Sequence, residues 1–229
     1  MKTKENKDSS ITIQPITYAK QKTLTSEKSY YNINFFMNPN ELTFSNNYTK
    51  FIRSVEGLVR KSEEYTNYID YIRNQIGLNY CMVMPNIDGD NAKIEMHHGP
   101  ILTLYDYISI FIEYYIKVNK NFNSFKLAEA IIKAHYRNEI QVVMLSVSVH
   151  QLVHDNKIFI HPKQAFGDFN KFIKKYKLGL TDEMKNNIND YITLSEMYKS
   201  NDFGVIKTGD YMNYNVVTQN FGKKKEDAK

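Results

Sequence analysis

The sequence predicts an α+β protein. It reads as a mainly helical domain around a small antiparallel strand pair followed by a helix, with a two-helix insertion between the strands. Three observations carry this reading. Apolar residues recur at three- and four-residue steps through several long stretches, the period of helices with one buried face. Only a few short runs, Lys93 to His98 and Val142 to Leu145 among them, have the length and β-branched content of strands. All six histidines lie between residues 97 and 161, in and around those runs, and the flanks on either side have none. Such clustering points to a site, because imidazole serves both metal ligation and proton transfer near neutral pH.

With 229 residues the chain can bury one sizeable core. Its 42% apolar and 24% charged residues are those of a soluble globular protein. No run of about 18 apolar residues is present, so no membrane span is expected. The N-terminus, MKTKENKDSS, is polar and basic without an apolar stretch behind it, and is not a signal peptide. The lone cysteine, Cys81, cannot form an internal disulfide, which fits a reducing cytoplasm. The net charge of +5 permits nucleic-acid binding without establishing it.

In chain order, residues 1–28 read as a polar mobile arm and 29–199 as a single domain with the strand-strand-helix core at 93–161. Within 29–44, YYNINFFMNPNELTF holds a short strand broken by Pro39. Residues 47–76 form a helix pair, with Phe51, Ile52, Val55, Leu58 and Val59 on one face. Ser62 caps the second helix, which turns Tyr65, Tyr68, Ile69, Ile72 and Ile76 inward. Tyr80 to Met84 reads as a strand joined by the turn-rich NIDGDN to the returning strand Lys93 to His98. That turn is too short for a calcium loop and lacks its distal Glu. Residues 101–118 form an apolar helix started at Thr103 or the Gly-Pro step, and 124–137 another, capped by Ser124. Val142 to Leu145 is a strand. Ser146 caps a short helix that Asn156 ends in the left-handed conformation. Lys157 to Ile160 reads as a further strand. Beyond Pro162 comes a basic helix with Phe166, Phe169, Phe172, Ile173 and Tyr176 inside, stopped at Gly179. A last helix is capped by Thr181 and buries Met184, Ile188, Tyr191, Ile192 and Leu194. Residues 200–229 read as a weakly ordered tail.

His150 and His154 lie four apart on the short helix and leave the same face one turn apart. That spacing supplies two ligands to one ion, although a solvated or packed pair has it too. HQLVH is close to the zincin HExxH, but Gln151 stands where a Glu must deprotonate water, which argues against a zincin. A third ligand from His97 or His98 would complete a ββα-metal arrangement, since the strand that ends there can pair antiparallel with 142–145. Three imidazoles suit zinc before magnesium, with manganese and nickel as alternatives. His135 and His161 read as satisfied or surface histidines.

IEMHH followed by VVMLSVSVHQLVH resembles the HNH endonuclease motif in its His-His version, as in the colicin nucleases. Gly99 to Asp106 also resembles a phrase in HNH-like proteins of tailed phages. The likeness spans roughly 65–175. It implies a metal-dependent endonuclease with His97, His150 and His154 as metal ligands and His98 as general base. The orienting Asn of the motif has Gln141 at its usual place, and Asn138 just upstream is the nominee for that role. The intervening 40 or so residues depart from the family's compact loop. The implied partners are nucleic acid, DNA before RNA, and phage proteins, in the host cytoplasm if the chain is phage-encoded. The alternative is an inactive structural or DNA-binding accessory protein of a phage that keeps the fold.

Overall fold

The computed structural model describes Leu42 and residues 45–197. The arm at 1–28, the strand expected in 29–44 (apart from Leu42) and the tail at 200–229 lie outside the described residues. Seven α-helices and one two-stranded sheet occur among the described residues. In order they are α1 (Ser45–Lys61), α2 (Glu63–Asn74), β1 (Ile94–His98), α3 (Leu104–Lys117), α4 (Ser124–Tyr136), β2 (Val142–Ser146), α5 (Val147–His154), α6 (Phe169–Tyr176) and α7 (Asp182–Met197).

Helices form where the apolar period and the caps coincide. α1 buries Phe51, Ile52, Val55 and Val59, and α2 buries Tyr65, Tyr68 and Ile72. Ser62 separates the two by accepting from the Tyr65 amide at 3.2 Å. α3 opens with a full capping box: Thr103 Oγ1 accepts from the Asp106 amide, and Asp106 accepts from the Thr103 amide. α4 is capped by Asn123 rather than Ser124, which is the first helical residue and is buried. α1 packs on α3 and α4, and an aromatic cluster of Tyr107, Phe111, Phe172 and Tyr176 ties α3 to α6. Each fully buried ring contributes on the order of 2–3 kcal/mol.

The sheet is antiparallel, with His97 opposite Val143 and Ile94 opposite Ser146. β2 is buried along its whole length. β1 alternates: Ile94, Met96 and His98 face the core while Glu95 and His97 lie on the other, half-exposed face. The hairpin expected from 80–84 to 93–98 does not form. Tyr80 makes a single bridge to Asp88, and the Met82 amide donates to the Met144 carbonyl on the far edge of β2. The apolar run Cys81-Met82 is core filling, both side chains being buried. The strand expected at 157–160 is likewise irregular chain. β2 is bridged instead by Phe166, through two backbone hydrogen bonds with Val142 at 2.8 Å. The Leu194 side chain on α7 is exposed rather than packed, and Ile188 is the apolar residue that this helix buries. No described helix is long and apolar enough to cross a membrane.

Candidate metal centre

α5 begins beside the start of β1 and runs back along it, because β2 is antiparallel to β1, Ser146 stands opposite Ile94, and α5 follows β2 without a linker. The α5 face carrying His150 and His154 therefore lies over the half-exposed face of β1. His97, His150 and His154 each offer one ring nitrogen, and these nitrogens all lie within 4.8 Å of one another. The His97 ring meets the His150 and His154 rings edge-on at centroid distances of 5.0 and 5.2 Å. His150 Nε2 and His154 Nε2 are 3.1 Å apart. Two nitrogens on one tetrahedral zinc at about 2.0–2.1 Å sit about 3.3 Å apart. The donor set fits a divalent transition ion in both chemistry and spacing.

Two features prepare these rings as ligands. Glu95 Oε2 accepts from His150 Nδ1 at 2.9 Å, which turns Nε2 of that ring toward His154 and His97. A carboxylate behind a ligating imidazole fixes its tautomer and raises its basicity. Glu95 is itself held at 2.6 Å by Lys93, and the hydrogen bonds from Lys93 and then His150 keep its carboxyl below the usual range. Burial, followed by the charges of His150, His154 and Arg60, pushes His97 down to about 4, so the ring is neutral and can ligate at pH 7. Gly99 leaves room for that ring, since a Cβ there would sit 3.0 Å from His97 Nε2. His154 is exposed and the other two rings are half-buried, so the cluster opens to solvent on one side.

His98 does not join the cluster. It faces the core on the opposite side of β1, at 5% exposure, and its Nε2 lies 3.0 Å from His135 Nε2. Tyr65 stacks on it, with ring planes 10° apart. Burial, and then the charges of His135, Arg60 and His97, hold its pKa well below the ordinary histidine value. Asn138 makes no hydrogen bond with His98 among the described residues. It takes a left-handed φ of 53° just past α4, its amide donates to the His135 carbonyl, and its own carbonyl accepts from the Asp168 amide. Its Oδ1 is buried without a partner among the described residues. The side chain that does reach His98 is His135, three residues earlier. His161 lies apart, capping the short 3-10 turn at Pro162–Gln164 and bonding the Ser195 carbonyl at 3.2 Å.

Glu95 is the residue of the site that sequence reasoning passes over, and His135, read there as a satisfied or surface histidine, is buried against His98. Glu95 was detectable, since period-two alternation puts it on the His97 face. Nothing local marks His135.

The chain matches the bacteriophage G278-like virion protein family over residues 1–219. No curated protein and no solved structure matches it.

Proposed function

We infer that this chain, which belongs to the bacteriophage G278-like virion protein family, is a phage metal-dependent endonuclease of the HNH type, with DNA preferred over RNA as substrate. The observation that carries this reading is the convergence of His97, His150 and His154, with Glu95 behind one of them and one side open. Structural zinc sites are closed by four protein ligands, whereas catalytic ones keep a position for substrate. The antiparallel strands followed by a histidine-bearing helix agree with the ββα-metal arrangement that the motif implies.

The three imidazoles would hold the ion. When bound, it offsets the charge that grows on the scissile phosphate and on the leaving 3′ oxygen. Glu95 orients His150. His98, beside the ligand His97 in the chain, would take the proton of the attacking water. A well-placed base is worth on the order of 100- to 10,000-fold. The positive charge of Arg60 acts on both His97 and His98 and suits an approaching phosphate. The chain's basic excess favours a polyanion without selecting a sequence.

A second reading has its own observation. His98 is 5% exposed, which suits a virion component that keeps an ion to pin β1 to α5 and works through other phage proteins instead of cutting. Plasmid nicking with zinc, manganese, nickel or magnesium decides between them. The nuclease reading expects the wild type to nick. His98→Ala should lose at least about 100-fold while keeping its metal, and His154→Ala should lose both. A wild type that holds one ion per chain and cuts neither DNA nor RNA with any of the four would overturn it in favour of the second reading.

A further inference from the structure

We propose that His135 is a positioning residue that fixes the tautomer of His98, keeping its proton on Nε2 and leaving Nδ1 bare. The proposal rests on the reading of His98 as the general base and deepens it.

The argument is a chain of donors and acceptors. His135 Nδ1 lies 2.8 Å from the Ile131 carbonyl, one turn back on α4. A carbonyl only accepts, so Nδ1 carries the proton. As a neutral ring, His135 then has a bare Nε2. Facing that lone pair at 3.0 Å is His98 Nε2. Two bare nitrogens would repel, so His98 donates, and its one proton sits on Nε2. What remains on His98 is Nδ1 as a lone pair, which no hydrogen bond engages among the described residues. A neutral imidazole that must accept a proton needs a bare nitrogen, and which nitrogen is bare is set by the bond that the other one makes.

The surroundings favour the neutral pair. Both rings are buried, His135 completely. Tyr65 and Tyr68 meet His135 edge-on at 5.5 and 5.1 Å, and Tyr65 also stacks on His98. Among the described residues, the charge that bears on His135 is that of Arg60, which is positive. Among the described residues no carboxylate bonds to either ring, so an imidazolium there would lack a counterion. A histidine buried at this depth with both nitrogens committed is an expensive way to fill a core position that Phe or Leu could fill. Holding a second histidine by one chosen nitrogen accounts for it.

The test is long-range proton–nitrogen NMR on the full chain labelled at histidine, alongside nicking kinetics. The wild type should show His98 protonated at Nε2 and bare at Nδ1. His135→Phe removes the acceptor, so the His98 signals should shift to the other or a mixed tautomer, and kcat should fall at least about tenfold with KM unchanged. His135→Gln can place an amide oxygen near the lost Nε2, and should restore the wild-type pattern and bring kcat back to within a few-fold. A wild-type His98 protonated at Nδ1 overturns the proposal, and so does a His135→Phe protein, folded by circular dichroism, whose His98 pattern is unchanged. If His135→Phe does not fold, the wild-type tautomer and the His135→Gln pattern still decide. The proposed tautomer in a wild type that never cuts would sink the nuclease reading and leave the positioning contact standing.

Discussion

His135 is fully buried, and the cost of charging it there sets a pH dependence for the protein. Burial holds it near 4, partly countered by its bond to the Ile131 carbonyl. In the unfolded chain it protonates near its ordinary value of about 6.5. Between those values the unfolded state binds a proton that the fold refuses, so stability is intact above about 6.5 and falls as the pH drops toward 4. The loss from this one group is on the order of 3 kcal/mol. Urea denaturation from pH 7 to 4 should show that decline on top of those from the half-buried His97 and the buried His98, and His135→Gln should make it shallower by about the His135 share; an equally steep decline in the variant would assign the effect to the other groups. The residue-level reading of the site divides along the same line. His97, His150 and His154 were legible because their spacing and strand-end position carry the message. The role of His135 was not, because a core histidine on a helix has the same sequence signature whether it is idle or holding another ring. Asn138 was nominated for that hold by analogy with the motif, but its left-handed backbone follows the end of α4 and its buried Oδ1 has no partner among the described residues.

At the scale of elements, the helices and the antiparallel pairing of β1 with β2 were legible, whereas the hairpin expected between 80–84 and 93–98 did not form. Period and caps placed the boundaries of α1, α2 and α3 to within a few residues, since those signals are local. The strand pairing went to β2, across about 45 residues of chain, and not to the neighbouring run at 80–84. The pairing of β1 with β2 lets β2 lie fully buried, with Met82 and Phe166 on its outer edge, and no local pattern reports that competition. Two glycines show how an element's packing decides the sign of a substitution. Gly57 lies inside α1, and an added Cβ there would meet nothing within 4 Å. At Gly179 a Cβ would collide with the Ile110 carbonyl of α3, so the 3-10 turn at Lys177–Gly179 can approach α3 only without a side chain. Gly57→Ala should therefore raise stability by about 0.5–1 kcal/mol, and Gly179→Ala should lower it by about 1–3 kcal/mol. Thermal unfolding of the two variants checks both. Equal shifts in the same direction would mean that the approach of the turn to α3 is looser than drawn.

Across the whole molecule, the topology explains why a site exists where it does. A core of aromatic and aliphatic side chains from α1, α2, α3, α4 and α6 fixes β2 in place, β1 is laid on it, and α5 is directed back over the outer face of β1. Residues 97, 150 and 154, more than 50 positions apart at the extremes, meet because the register of that one strand pair brings them together. The composition of the chain announced a globular protein with a mild basic excess, and membership of a virion protein family adds a particle as its setting. Neither specifies the chemistry. In the proposed reading, that is the part of three imidazoles, one carboxylate and the pair of rings behind them. The measurement that bears most directly on this is calorimetric titration of zinc into the wild type, His154→Ala and Glu95→Gln proteins. One ion per wild-type chain is expected, with binding lost in His154→Ala and weakened roughly 10- to 100-fold in Glu95→Gln. A wild type that takes up no stoichiometric ion, or a His154→Ala protein that binds as tightly as the wild type, would contradict the account.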